Sequence, residues 1–549
     1  MPRSYDASTP VVLDGANLDL LSVVRAARGD GLGAYPKVEL AQSAREATVA
    51  VRTYVEENWL KDDAPGIYGI NTGLGRLCDV RISPADFEQY QVNMINATAA
   101  GIGEPFTEEQ TRAAMVLRVN ALSKGCSGIR VECLDRLIDM INAGVHPIIP
   151  SQGSVGASGD LAPLAHLVSA MIGHERAEAV YQGVRMPAAE ALKAAGLAPT
   201  FTLGPKDVLG LINGSTVSLG VAILALDDAQ SLARHADIAL ALSLEAMRGQ
   251  LNAFDVRIHR ARNSQFQEDV ATNVLRLTEG SGRTNEDARR IRLPDEARPN
   301  DVYVPRIQDP YSLRCAPQVH GAARDALRFA ETLLTREANA ATDNPLIFAD
   351  GKGGYDVLSG GNFHGEPIGY AADLIAIAAA EIGAISERRA YRLTDPGMSF
   401  GLPLNLVGGT LGLNYGFGIV HCSAAALASE NKVLCFPSVA DSVPTKANQE
   451  DHVSMCTFSA RKAVSVVANA ETIIAIEFIC AAQGVDLSAV HLDGREPGKG
   501  VKAAFARLRD KVPMTTADHY QSDDMVQAQA LVRGRDLLQA AEAAIGALA

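Results

Sequence analysis

One short run of this 549-residue chain holds residue types that could rearrange their own backbone: Ser151-Gln152-Gly153-Ser154-Val155-Gly156-Ala157-Ser158-Gly159-Asp160-Leu161-Ala162-Pro163-Leu164-Ala165-His166. Small residues crowd around Ala157-Ser158-Gly159, and an Asp and a Pro then suit the first turns of a helix. Taken alone, such a tripeptide is ordinarily a tight turn feeding a helix N-cap. Its composition also permits something rarer. In a sharply bent backbone the amide nitrogen of Gly159 reaches the carbonyl of Ala157. Ring closure with loss of water, and dehydration of Ser158, then leave a five-membered ring with an exocyclic methylene. Glycine is needed because a side chain would block the approach, and serine because its β-hydroxyl is the leaving group. The product, 4-methylidene-imidazole-5-one (MIO), is a strong electrophile made without an external cofactor.

Five further segments accompany the tripeptide: Tyr68-Gly69-Ile70-Asn71-Thr72-Gly73-Leu74-Gly75, Leu211-Ile212-Asn213-Gly214, Gln308-Asp309-Pro310-Tyr311-Ser312-Leu313-Arg314, Gly361-Asn362-Phe363-His364 and Asn448-Gln449-Glu450-Asp451-His452-Val453-Ser454-Met455. In these motifs and their order the chain resembles the histidine/phenylalanine/tyrosine ammonia-lyase family. The resemblance runs from about Val11 to the C-terminal helix, with 278–306 as its main interruption.

The resemblance implies a role for each position. Tyr68 is the base at the substrate β-carbon, on a Gly-rich loop suited to a lid; a phenol serves as a base only in an electropositive site. Asn213 and Tyr311 are hydrogen-bond partners of the ring and the amine. Arg314, with Gln308 nearby, takes the substrate carboxylate through its planar fork. Phe363 walls the pocket and assists ring formation, and Asp160 helps the same cyclisation. Glu450 engages an imidazole or the amine, because the Gln-Glu-Asp-His form of its segment resembles the histidine branch. The stretches Ala428–Lys432 and Asp441–Thr445 resemble that branch too. Without the resemblance these residues read more plainly: a surface loop tyrosine, a solvated arginine, a first-turn helix acid at Asp160, and a helix acid with a basic neighbour at Glu450.

At one place the pattern departs. After Gln91-Val92-Asn93-Met94-Ile95-Asn96 stand Ala97 and Thr98, where histidine lyases usually carry Ser-His, phenylalanine lyases Phe-Leu and tyrosine lyases His-Leu. The resemblance makes these pocket positions for the substrate ring, so this chain lacks an imidazole partner and has a reshaped pocket. Lys446, where the histidine branch usually has a small residue, is a second departure. A missing buried hydrogen bond can shift discrimination by several kcal/mol.

The elements that must position these residues are mainly helical. Aromatics are only 5% of the chain while Ala and Leu abound, which favours helices over sandwiches. Residues 1–212 read as a loop-rich N-terminal region carrying the cofactor, with helices at Asn17–Arg28, closed by Gly29, Glu39–Trp59, Glu108–Leu122 and Val131–Ala143. Residues 213–549 read as a central bundle of long helices: Thr216–Arg248, Gly321–Ala341, Gly365–Arg392, Ala424–Val433, Asn448–Gln483 and Asp523–Leu548. Polar residues 278–306 read as an exposed insertion. Helices so rich in small residues also suit burial between subunits, and the resemblance implies a homotetramer.

Composition narrows the alternatives. A net charge of −14 opposes a nucleic-acid surface. No secretory h-region follows Met1, and Asp373 and Glu381 interrupt the most apolar stretch, so no membrane partner is expected. Eight cysteines without C-x-x-C pairs suit reduced thiols in a cytoplasm and no metal site. Gly29-Asp30-Gly31-Leu32-Gly33-Ala34 fits a dinucleotide fingerprint formally but follows a helix pattern, not a strand. Gly156–Asp160 lacks the serine-hydrolase spacing. An ammonia-lyase acting on histidine or a histidine-like or aromatic amino acid is therefore expected. Its rivals are a 2,3-aminomutase using the same ring and a catalytically silent helical scaffold.

Overall fold

Long Ala/Leu-rich helices form the centre of the molecule, as their low cost of side-chain ordering favours. The computed structural model describes residues 5–291, 293 and 306–549. The helices that matter for the site are, in chain order, α1 (Phe87–Thr98), α2 (Glu108–Leu122), α3 (Leu161–Met171), α4 (Asp207–Ile212), α5 (Thr216–Met247), α6 (Ala316–Ala338), α7 (Glu366–Thr394), α8 (Gly418–Leu434) and α9 (Cys456–Ala489). In the bundle, α9 packs on α7, α5 and α8, while α5 also meets α2, α6 and α7.

By length and composition α5, α7 and α9 could each cross a membrane, yet 83%, 67% and 72% of their most apolar windows are buried inside this protein. Helices apolar on every side belong in the middle of a bundle. A buried polar knot ties these three together. Glu477 on α9 receives Arg389 of α7 through two hydrogen bonds of 2.6 and 2.8 Å, and Ser243 of α5 and Ser386 of α7 at 2.6 Å each. Four donors on one carboxylate offset the cost of burying it.

Strands are short and peripheral. Val11–Leu13 pairs parallel with Val38–Leu40, and Ile102–Pro105 antiparallel with Pro150–Gln152. Val145–Pro147, Glu178–Tyr181 and Val184–Pro187 make a three-stranded ladder, and Leu346–Ala349 pairs with Tyr355–Leu358. The main apolar core includes residues from Val11 to Leu548, and a smaller one gathers Val51, Val55, Trp59, Ile70 and Ile347. Ile212 and Val217, on either side of the expected 212/213 boundary, both belong to the main core.

Three expectations differ from the structure. The helix expected from Asn448 begins at Cys456, because Asn448 and Met455 adopt left-handed φ (61° and 51°), which no right-handed helix accepts. The C-terminal helix is two, Gln521–Arg533 and Asp536–Ile545, broken where Arg535 turns left-handed at φ 66°. In the insertion, the part from 278 to 291 is anchored by buried residues, while Glu279, Gly280, Asn285, Glu286, Asp287 and Arg290 are exposed. Arg283 is buried and donates to the carbonyls of Val485 and Arg495 and to Ser488 Oγ at 3.0–3.1 Å, and Ala288 is buried as well. Residues 292 and 294–305 lie outside the described residues.

Candidate active site

The tripeptide sits between two chain reversals, against the start of α5. Gly214 donates its amide to the Ser158 carbonyl (3.3 Å) and accepts the amide of Asp160 (2.7 Å). This parallel bridge holds Gly159 from both flanks while engaging neither its own N–H nor its own C=O. The Gly159 N–H makes no backbone hydrogen bond among the described residues, which leaves its nitrogen available for attack on Ala157. Gly159 has φ +72°, and a Cβ there would stand 2.1 Å from the Gly214 carbonyl carbon. Gly156 is likewise left-handed, and a Cβ would meet Ser454 Oγ at 2.3 Å. The backbone around Ala157-Ser158-Gly159 therefore fits the internal ring on steric grounds.

Asp160 lies beneath the tripeptide and is fully buried. It accepts from Ser218 N and Oγ (2.7 Å each), Thr457 Oγ1 (2.8 Å) and Ser154 Oγ (3.1 Å). Burial pushes its carboxyl above the usual range even against those donors. Its side chain makes no cap bond to α3, so it is more than a first-turn helix acid.

On the open side Ser158 Oγ donates to Glu450 Oε1. Glu450 also takes Lys446 Nζ at 2.7 Å and Thr445 Oγ1 at 2.8 Å. Burial pushes Glu450 up, but the hydrogen bonds from Lys446 and then Ser158 outweigh it, and the net direction is down. The left-handed run at 446–448 and the Thr445–Glu450 bridge form the turn that brings both side chains here. Such a run is strained for residues with a Cβ and marks the turn as one the surroundings impose.

Both side chains open onto a cavity of about 1440 Å³ lined by Tyr68, Tyr90, Met94, Thr98, Ala157, Ser158, Asn213, Phe363, Lys446 and Glu450, among others. Tyr68 rides on a turn pinned by buried Asn71, whose amide donates to the Trp59 and Pro65 carbonyls at 2.9 Å and accepts Ile67 N at 2.6 Å. The Gly75 N–H donates to the Tyr68 hydroxyl oxygen at 3.2 Å. Phe363 is fixed through its carbonyl, which accepts from Ser215 Oγ at 3.1 Å.

Asn213 ends α4. Its Nδ2 donates to Asp343 Oδ1 (3.3 Å) and the Asn344 carbonyl (3.2 Å). Two acceptors facing one end of the amide make that end the NH2, so Oδ1 is left as an acceptor. Asp343 is itself held by buried Lys206 Nζ and Ser127 Oγ, each at 2.5 Å. Neither Lys206 nor Asp343 was flagged by sequence, since the two are 137 residues apart. Tyr90 and Met94 were also missed. Their signal was legible, because Tyr90, Met94 and Thr98 recur at i, i+4 and i+8 along one face of α1.

Besides Gly159 and buried Asp160, four sequence-predicted positions stand outside the cavity lining of this chain. Ala97 points away on the exposed face of α1, a correction to its expected place in the pocket; a residue beside Thr98 is turned about 100° from it on a helix. Gln308 is exposed and Tyr311 is 70% exposed. Arg314 stacks on the Tyr311 ring at 4.5 Å and donates through Nε to the Asp309 carbonyl at 2.9 Å. Among the described residues, no three His, Cys, Asp or Glu side chains gather as a metal site.

Residues 18–510 match the model of the aromatic amino acid lyase family. The chain belongs to that family, and it is a carbon–nitrogen lyase. It is 44% identical to a histidine ammonia-lyase of Alkaliphilus oremlandii over 97% of this chain and 99% of that one. Among solved structures, the histidine ammonia-lyase of Trypanosoma cruzi superposes with a TM-score of 0.85 at 38% identity, covering 98% of this chain and 96% of that one. Tyrosine aminomutase from Streptomyces globisporus gives 0.88 at 34%, covering 98% and 99%.

Proposed function

We propose that the protein eliminates ammonia from L-histidine or a histidine-like or aromatic amino acid, leaving an α,β-unsaturated acid, with MIO formed from Ala157-Ser158-Gly159 as its electrophile. The carrying observation is the hydrogen bond between Ser158 and Glu450 at the wall of a cavity shared with Tyr68 and Asn213. The names of the relatives at 42–47% identity support histidine as the first substrate to test.

The ring supplies electrophilic capture of the amine, which turns a poor leaving group into a better one. The chain's own residues do the rest. Tyr68 takes the β-proton, its oxygen steadied by the Gly75 N–H. Asn213 Oδ1 accepts an N–H from the substrate amine. Glu450, kept ionised by Lys446, holds the amine or a ring N–H. Asp160, with its raised carboxyl, moves the protons of ring closure, and Phe363 keeps water from the electrophile.

Arg314, Gln308 and Tyr311 complete the site when a second copy presents them at the cavity mouth. Ile307, Tyr311, Leu413, Ile419, Val433 and Phe436 are large apolar residues left exposed in the single chain, as residues covered by other subunits are, and a cytoplasmic homotetramer is the assembly this reading takes. Mixing an inactive Tyr68→Phe protein with an inactive Arg314→Met protein restores part of the activity if the two residues meet across chains; no recovery on mixing would place them in one.

The reading as a whole is tested by incubating the protein with a panel of L-amino acids, following ammonia and ultraviolet absorbance of the conjugated acid. Ammonia with a conjugated product is expected. A β-amino acid without free ammonia would make the enzyme an aminomutase, and no conversion of any kind would leave only a scaffold.

A further inference from the structure

One wall of the cavity belongs to α1, and its polar groups are unequal. Thr98 stands on the cavity, but its Oγ1 donates to the Met94 carbonyl at 2.6 Å, so its one proton is spent on the helix backbone. Met94 is apolar, as are Leu161, Leu209 and Ile212 around it. Tyr90 differs. Its side chain lines the same cavity, and its hydroxyl is buried with no hydrogen-bond partner.

A buried hydroxyl without a partner is uncommon and calls for a cause. Folding does not require this one: phenylalanine would fill the same space on α1 without an unpaired oxygen. Burial, and then the nearby Tyr68 phenol, push the Tyr90 phenol up. It therefore keeps its proton at neutral pH and can donate as well as accept.

We propose that Tyr90 is a specificity-determining residue, whose hydroxyl hydrogen-bonds a heteroatom on the ring of the substrate. It selects amino acids with an imidazole or phenol side chain over those with a purely apolar ring. This rests on the lyase reading above and deepens it. In that role Tyr90 does from one turn of α1 what a polar residue at Thr98 cannot do while its hydroxyl serves the backbone. Met94, Leu161, Leu209 and Ile212 on the same cavity sharpen the choice, because a ring heteroatom placed against them without Tyr90 would lose its bond to water and find no partner there.

The test is Tyr90→Phe, which removes one oxygen and keeps the ring. We expect kcat/KM for the polar-ring substrate to fall by about tenfold or more. L-Phenylalanine turnover, relative to that substrate, should rise by the same factor, with the ultraviolet signature of the internal ring unchanged. Equilibrium binding of urocanate, 4-hydroxycinnamate and cinnamate to wild type and variant gives a second readout independent of turnover. The first two should weaken on loss of the hydroxyl and cinnamate should not. An equal drop for all substrates and all three acids, or no change in any, would overturn the assignment while leaving the lyase reading intact. Wild type that converts no amino acid would overturn the lyase reading, and the binding comparison would then decide Tyr90 by itself.

Discussion

Two carboxylates flank the same tripeptide, and their surroundings drive them in opposite directions. Asp160 is sealed, fed by two serines and a threonine, and burial pushes its carboxyl up. Glu450 is half open, bridged to Lys446, and held down. A sealed group whose burial favours the protonated form suits a reaction done once, on the chain itself. A group that stays ionised at a cavity wall suits one repeated with every substrate. On the proposed function, the contrast separates making the electrophile from using it.

The largest break in that contrast is Ser158→Ala. Ammonia release should fall at least ~10³-fold, since covalent activation of the amine is lost altogether, and the intact mass should no longer be short of two waters. Asp160→Asn should slow ring formation, seen as a persistent uncyclised mass fraction, with the fraction that cyclises turning over normally. Glu450→Gln should do the reverse: full cyclisation and kcat lower by about 10²-fold. If both variants alter the same step, the division of labour is wrong.

A smaller effect tests whether Asn213 is oriented from below. Asp343→Asn offers an amide that can donate where a carboxylate could only accept, freeing the Asn213 side chain to flip. We expect kcat reduced by ~10- to 100-fold with cyclisation retained, and an unchanged kcat would remove Asp343 from the site. The smallest effect concerns pH. Glu450 is held below its ordinary range, so any stability it contributes is present above its unfolded value and lost as pH falls through the lower folded one. The acid limb of kcat/KM should accordingly lie low. Lys446→Met removes the strongest bond holding it there and should move that limb upward, and a limb that stays in place would dissociate Lys446 from Glu450.

Much of this site was legible in sequence because its motifs are local. The tripeptide, Tyr68, Asn213 and Phe363 each lie in a short run whose small residues betray a turn, whereas Glu450 read as a helix acid and stands in the turn closed by the Thr445–Glu450 bridge. The bundle was legible from the long Ala/Leu-rich stretches. What failed were features set by distant partners. The start of α9 was misplaced because composition does not mark Asn448 and Met455 as left-handed. Arg283 read as solvated, yet its partners lie at 485–495. The Lys206–Asp343 support of Asn213 joins segments with no common motif. Ala97 was paired with Thr98 by adjacency, whereas α1 pairs Thr98 with Met94 and Tyr90 by its period.

The central claim is that this chain cyclises its own backbone, and mass measurement tests it most directly. Purified protein should weigh two waters less than its sequence, with the loss confined to the peptide containing 157–159 and absent in Ser158→Ala. A protein of full sequence mass that still releases ammonia would contradict it.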